Sequence, residues 1–214
     1  VVTDKWMLGT RNSFFVGIVA TLLATALGTV AALGLSRPHM PFKAVLMAIL
    51  ISPMIVPLII TAAGMFFFYS KIGLTHSYLG LILAHTALGT PFVVITVTAT
   101  LTGFDTNLIR ASQSLGADTI RTFFKVIMPL ILPGVISGGL FAFITSFDEV
   151  VVVMFIGSVE QITIPKQMWA GLRQETSPVI LCMATCLVAL SIALLTTVEM
   201  LRRRSERLRG IKQR

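Results

Sequence analysis

Five long apolar runs alternate with short polar segments along the chain. They cover residues 13–35, 44–69, 78–101, 131–156 and 178–200. Each run reaches the roughly 20 residues that an α-helix needs to cross the hydrocarbon core of a bilayer. Apolar residues follow one another without the alternation of a half-buried strand, so the pattern predicts helices. Because a helix in lipid satisfies its own backbone hydrogen bonds, we predict an all-α, polytopic transmembrane bundle.

Prolines and rows of small residues mark particular positions in these helices. Pro53 and Pro57 interrupt the second run and Pro91 the third, and a proline kinks a helix because it lacks an N–H donor. Small residues recur at four-residue intervals in the first and fourth runs, as Ala20, Ala24, Gly28 and Ala32 and as Gly134 and Gly138. Such rows let a second helix approach closely, so we expect both to lie at helix–helix contacts.

The overall composition fits a surface that faces lipid. Of the 214 residues, 55% are hydrophobic and only 12% are charged, whereas soluble domains carry roughly 25% charged residues. The net charge of +8 lies in short clusters between apolar runs. A nucleic-acid-binding protein needs a basic face on a soluble fold instead, so we expect no nucleic-acid partner. The chain is predicted to form one transmembrane domain.

Positive charge predicts the side of the membrane on which each connection lies. Twelve of the 17 Lys and Arg residues lie in 36–43, 102–127 and 201–214, and five lie in 1–12, 70–77 and 157–177. Lys and Arg favour the cytoplasmic side. We therefore place the first three segments in the cytoplasm, including the C-terminal tail, and the other three outside. The basic tail also suits contact with anionic lipid headgroups.

An outward N-terminus needs something to carry it across the membrane. Residues 1–12 are not apolar enough to do so, and the sequence begins at Val1 rather than at Met. We expect a further transmembrane helix before Val1, which makes six in the full-length protein. A cleaved signal peptide is the alternative.

The connection at 102–127 is the most informative segment. Apolar residues around Ile109 and Leu115 share one helical face, and those at 120–127 share another. Gly116 lies between them and permits a sharp turn. Such a segment docks into a groove on a cytoplasmic partner with its aromatic side chains as the anchor, or it lies as an amphipathic hairpin on the inner leaflet.

This segment resembles the signature of binding-protein-dependent ABC importer permeases, Glu-Ala-Ala-x-x-x-Gly followed after nine residues by Ile-x-Leu-Pro. Ala111, Gly116 and Pro129 match at the expected spacing, while Arg110 replaces the glutamate and Ser112 the second alanine. In that family the loop forms the coupling helices that rest in a cleft of the ATPase subunit. The resemblance thus implies ATPase-coupling roles for Arg110, Ala111, Ser112, Gly116, Ala117, Phe123 and Pro129.

Further matches extend the resemblance over nearly the whole chain. They are Asn12-Ser13, Ser52-Pro53, the Thr-Pro-Phe-Val-Val run at 90–94 and the Ser-Phe-Asp-Glu-Val run at 146–150. The last run, together with Gly-Phe-Asp at 103–105, is similar to the spermidine/putrescine permease subgroup. The resemblance implies a type I ABC importer transmembrane domain in a bacterial inner membrane. It also implies paired ATPase subunits, a companion permease that makes a heterodimer, and an extracytoplasmic solute-binding protein.

Asp148 and Glu149 lie within the fourth apolar run, in its predicted outer half. A charge at the bilayer centre costs at least about 2.5–3.5 kcal/mol on insertion scales, so these carboxylates should face a polar path or a partner. One interpretation is a station on the substrate path that attracts the ammonium groups of a polyamine. The other is a structural contact with the companion permease or with a kinked helix. Adjacent residues diverge by about 100° around a helix, so we expect that the two do not face one small site.

The chain is not expected to be an enzyme. It has no Gly-x-x-x-x-Gly-Lys-Ser/Thr phosphate loop, so ATP and Mg²⁺ should bind to a partner ATPase, and no cofactor or metal is expected here. His85 is expected to be a hydrogen-bonded residue of the bundle. The leading hypothesis is an ATP-driven permease subunit for polyamines or related amines. The alternatives are a permease for an amino-acid derivative or an opine-like compound, and a secondary transporter that needs no ATPase.

Overall fold

The computed structural model describes residues 2–37, 39–103, 105, 107–174 and 178–208, and within them it contains helices and connections but no strand. The helices are α1 (Val2–Leu35), α2 (Lys43–Ile55), α3 (Leu58–Ile72), α4 (Tyr78–Thr102), α5 (Asn107–Ser114), α6 (Thr119–Thr122), α7 (Met128–Phe147), α8 (Val151–Ile156), α9 (Ile164–Gln174) and α10 (Pro178–Leu208). A π-helical turn at Phe123–Ile127 joins α6 to α7. The predicted all-α architecture is confirmed.

Four helices of the described chain are long and apolar enough to cross a membrane. They are Asp4–Leu35, Tyr78–Thr102, Thr119–Phe147 and Pro178–Thr197, and the pair α2 and α3 makes a fifth span if it crosses as one unit. The first and last helices extend beyond the predicted 13–35 and 178–200. The basic tail is helical as far as Leu208, and residues 209–214 lie outside the described part of the chain.

The prediction of one helix over 44–69 is wrong, since α2 and α3 are separate helices, but the predicted proline interruption is confirmed at Pro57, where they meet at a bend of 105°. Pro57 causes the break. Its ring disfavours helical backbone at the preceding residue, and Val56 is accordingly extended with ψ 134°. Pro57 itself is the N-cap residue of α3, where its missing N–H costs nothing, while Pro53 lies inside α2. Pro91 does not interrupt α4, which runs unbroken through it.

The prediction of one helix over 131–156 is also wrong, at both ends. The helix begins earlier, because α6, the π turn and α7 follow one another as one helix from Thr119, which includes the last residues of the predicted 102–127 loop. The π turn ends two residues before Pro129, whose ring clashes with the carbonyl four residues earlier, inside that turn. The helix ends earlier, at Phe147, and a new helix starts at Val151.

The core of the bundle forms where α1, α4 and α7 pack against one another. The small residues predicted at helix contacts lie there: Ala24 and Ala32 are completely buried, and the Cα of Gly28 faces Val93 of α4. Gly138 of α7 likewise faces Thr96 of α4. The close approach that these residues permit confirms the expectation from their four-residue spacing.

The outer faces of α2, α3 and α10 carry large apolar side chains that are exposed. Leu181 and Val188 of α10, and Ile49 of α2, are examples of large exposed aliphatic residues. A water-facing surface would not carry so many. These faces suit contact with lipid.

Candidate functional site

A tight elbow forms at residues 107–124, where α5 meets α6 and the start of the π turn. Gly116 has φ +80°, a left-handed conformation that glycine adopts without steric cost, so the sharp turn predicted there is confirmed. The turn closes as a Schellman motif, in which the N–H of Ala117 donates to the carbonyl of Ser112 at 3.1 Å. This bond ends α5 and reverses the chain.

Side chains then fix the angle of the elbow. The Ser112 and Thr122 hydroxyls are hydrogen-bonded at 3.0 Å and join α5 to α6. The Asp118 carboxylate accepts from the backbone N–H of Arg121 at 2.7 Å and caps the start of α6. Because α6 continues into α7, the elbow is attached rigidly to the span at Thr119–Phe147.

The elbow presents apolar side chains to its surroundings rather than to the bundle. Leu115 is 88% exposed, Ile120 70% and Phe124 64%. Phe123, predicted as a coupling residue, is partly buried behind Phe124 with its ring centroid 5.0 Å away. Among the other predicted coupling residues, Arg110, Ala111, Gly116 and Pro129 are exposed, and Ser112 and Ala117 are partly buried. Their accessibility leaves this surface open to a partner.

A break of three residues, Asp148 to Val150, separates α7 from α8, and we call it the acidic break. Asp148 is exposed, whereas Glu149 is only 6% exposed. The Oε1 atom of Glu149 accepts a hydrogen bond of 2.9 Å from the N–H of Val152, in the first turn of α8. The two carboxylates therefore lie in different surroundings, as their sequence positions predicted, but on a helix break rather than inside one helix.

The opposite end of α8 is held by Lys166 of α9. Its Nζ donates to the carbonyls of Val153, Gly157 and Ser158 at 3.2, 3.0 and 3.1 Å. Burial lowers the pKa of this amine below its ordinary value. The sequence carries no local signal for this contact, because Lys166 lies 8 to 13 residues from the carbonyls that it binds.

A polar cluster, which we call the outer latch, joins α1 to the connection before α9. The amide of Asn12, which is 2% exposed, donates to the carbonyls of Glu160 and Ile162 at 2.7 and 2.9 Å. The Ser13 hydroxyl accepts from the N–H of Ile164 at 2.9 Å. The Tyr78 hydroxyl lies 3.0 Å from both the Asn12 Oδ1 and the Glu160 carbonyl oxygen. Through these bonds the Asn12-Ser13 pair holds α1 against the connection before α9.

His85, a residue of α4, is buried against α7. Its Nδ1 lies 2.7 Å from the Ser146 hydroxyl, two residues before Asp148. The prediction of a hydrogen-bonded histidine inside the bundle is confirmed. The contact fixes the end of α7 against α4, close to the acidic break.

Comparisons of the chain with known proteins identify a matching family. The family of binding-protein-dependent transport system inner membrane components matches residues 24–207. The spermidine/putrescine transport system permease protein PotC of Haemophilus influenzae is 30% identical over 202 residues, which are 94% of this chain and 79% of that protein. The protein of the same name from Escherichia coli is 27% identical over 200 residues, with coverage of 94% and 76%.

The fold also matches that of a solved transporter. The methionine ABC transporter MetNI, solved in inward-facing conformations, matches 99% of this chain and 98% of its own with a TM-score of 0.69 and 19% identity. At this identity the match concerns the fold, and it confirms the predicted transmembrane domain. The chain thus belongs to the family of inner membrane components of binding-protein-dependent transport systems.

Proposed function

We propose that this ABC importer permease subunit forms part of the translocation path for polyamines or related small amines. In this proposal it draws its energy from separate ATPase subunits that bind to the elbow. The observation that supports the coupling most strongly is the exposed apolar surface of Leu115, Ile120 and Phe124 on a rigid turn. Apolar anchors of this kind fill pockets in protein partners.

The elbow is suited to transmit a movement of the ATPase. One helical span runs from Thr119, inside the elbow, to Phe147, at the acidic break. At 1.5 Å per residue its 29 residues extend about 43 Å. Because one helix connects them, a displacement of the elbow would also move the acidic break. Alternating access requires a coupled movement of this kind.

The acidic break supports a cationic cargo. Asp148 and Glu149 follow a helix of 20 residues, about 30 Å long and equal to the thickness of the hydrocarbon core. Their carboxylates would stand near the outer mouth of a path, where an arriving ammonium group is attracted. The relatives named as spermidine/putrescine permeases are consistent with a cargo of this chemistry.

The proposed assembly has two ATPase subunits on the cytoplasmic side, a companion permease beside the bundle and a solute-binding protein outside. The distribution of Lys and Arg supports a cytoplasmic elbow and a cytoplasmic C-terminus. The exposed apolar faces of α2, α3 and α10 offer room for a companion permease and for lipid. ATP and Mg²⁺ would bind to the ATPase subunits and not to this chain.

Copurification tests the coupling role of the elbow. A carboxylate in place of an anchor, as in Phe124→Asp, should abolish copurification of the ATPase subunits, since it would be buried without a partner. The matched control is Val159→Asp, at an exposed apolar position (76%) in the connection after α8, and it should retain the ATPase. Equal recovery of the ATPase with both variants would contradict the proposed role.

Uptake tests the cargo. Cells with the complete transporter should accumulate radiolabelled putrescine or spermidine, and uncharged solutes of similar size should not compete. Uptake that continues after ATP depletion while an ion gradient is maintained would refute ATP-driven transport.

A further inference from the structure

The short helix α8 is held at both ends by charged side chains of opposite sign. It has six residues, Val151–Ile156, and so short a helix is unstable without external contacts. Glu149 binds the N–H of Val152 at its start, and the ammonium of Lys166 binds the Val153 and Gly157 carbonyls at its end. A carboxylate at the N-terminus and a cation at the C-terminus both favour the helix dipole.

α8 is also one of the most deeply packed parts of the molecule. Val152, Val153 and Ile156 are completely buried, where α8 packs against α3 and α4. The carbonyl of Ile156 accepts from the N–H of His76 at 2.8 Å. A displaced α8 would therefore disturb the core, so the groups at its ends act on the position of the whole acidic break.

These contacts use up the hydrogen-bonding capacity of Lys166 and occupy Glu149. The ammonium group has three N–H donors, and three carbonyls receive them. Glu149 is buried with one oxygen on the α8 backbone. Asp148 is exposed, at a position where α7 has ended. Of the two carboxylates, Asp148 is the one that an incoming solute can reach.

We infer that the acidic pair is divided in function: Asp148 contacts the ammonium group of the cargo, whereas Glu149 and Lys166 are positioning residues that hold α8. This inference rests on the proposed transport of cationic amines. It assigns a role to Lys166, and it makes Glu149 important as a hydrogen-bond acceptor rather than as a charge.

Amide substitutions separate the two roles, because they remove the charge and keep an acceptor oxygen. In uptake of radiolabelled putrescine by the complete transporter, Asp148→Asn should raise KM about tenfold, because the ammonium group exchanges a charge-assisted hydrogen bond for a neutral one of roughly half the strength. Glu149→Gln should give a KM at least about fivefold below that of Asp148→Asn, since its Oε1 still accepts from Val152.

The outcomes distinguish the inference from the function on which it rests. If both amide variants raise KM equally, both carboxylates meet the cargo, and the division is refuted while amine transport stands. If Glu149→Gln raises KM more than Asp148→Asn, the assignment is reversed and also refuted. If ATP-driven putrescine uptake is normal in both variants, the cargo station itself is refuted, and the inference falls with it.

The positioning role has its own readout. Lys166→Met and Glu149→Leu should lower Vmax with little change in KM, and Lys166→Arg should restore part of the loss because it can still donate to the carbonyls. Where uptake is too weak to measure, hydrogen exchange of backbone amides in the purified transporter tests the same role. The amide of Val152 should exchange about 2- to 10-fold faster in Glu149→Leu than in Glu149→Gln, as expected for the loss of a net hydrogen bond. Equal exchange in the two variants, or a raised KM with normal Vmax in Lys166→Met, would overturn this role.

Discussion

A methyl group added at Gly28 should push α1 away from α4, whereas the same group added at Gly34 should not. Both glycines lie in α1, only six residues apart. A Cβ atom on Gly28 would stand 2.6 Å from the Cβ of Val93 and 3.2 Å from the carbonyl oxygen of Thr90. A Cβ atom on Gly34 would meet nothing within 4 Å. Gly34→Ala is therefore a matched control for Gly28→Ala.

The size of the difference follows from these distances. Carbon atoms in contact prefer a separation of about 3.5–4.0 Å, so the helices would have to move apart by about 1 Å. Val93 is completely buried and β-branched, which leaves its side chain little freedom to turn away. Overpacking of this kind costs about 1–3 kcal/mol. Gly34→Ala instead gains up to about 1 kcal/mol, because alanine favours the helix.

Thermal unfolding of the purified protein in one detergent measures the difference. A destabilisation of 1 kcal/mol lowers Tm by about 2–4 °C for a chain of this size. We expect Gly28→Ala to lie roughly 2–16 °C below Gly34→Ala, because the difference in stability is about 1–4 kcal/mol. If the two variants unfold at the same temperature, the close α1–α4 contact is not present, and the packing described for the bundle is incorrect.

Three further substitutions test other contacts. Asn12→Ala should lower the free energy of unfolding by about 1–3 kcal/mol, because it leaves two carbonyls of the outer latch without a donor, and it should accelerate proteolysis within 157–163. Arg11→Ala, at an exposed neighbouring position, should have neither effect. Equal proteolysis rates in the two variants would contradict the latch. Gly116→Ala should strain the elbow by about 1–2 kcal/mol and weaken binding of the ATPase. Gly103→Ala, with φ −90° and open space around it, should not, so equal ATPase recovery would argue against the turn. His85→Leu and Ser146→Ala should show a coupling energy of about 0.5–1.5 kcal/mol in a double-mutant cycle of unfolding, and additive effects would exclude their hydrogen bond.

The bundle could be predicted from the sequence because its signals are local. Apolar runs of bilayer length define the spans whatever surrounds them. The turn at Gly116 could also be predicted from the sequence, since a glycine between two amphipathic segments allows the left-handed conformation that the elbow adopts. The four-residue spacing of the small residues in α1 and α7 was enough to predict close helix–helix contacts.

The acidic break and its supports could not be predicted in the same way. Hydropathy remains high on both sides of Asp148 and Glu149, so the run appears continuous, and the break depends on Glu149 reaching the backbone of Val152. The outer latch joins residues 148 and 150 positions apart in the chain. Contacts between distant segments depend on how the helices pack, and periodicity within one segment contains no information about that.

The central claim is that this permease moves a cationic amine only when a separate ATPase drives it through the elbow. The most direct measurement is uptake of radiolabelled putrescine into proteoliposomes that contain the full-length permease, its companion and ATPase subunits and the solute-binding protein. We expect uptake that requires ATP on the side of the elbow and disappears with Phe124→Asp. Uptake without the ATPase, driven by an ion gradient and unaffected by Phe124→Asp, would contradict the account.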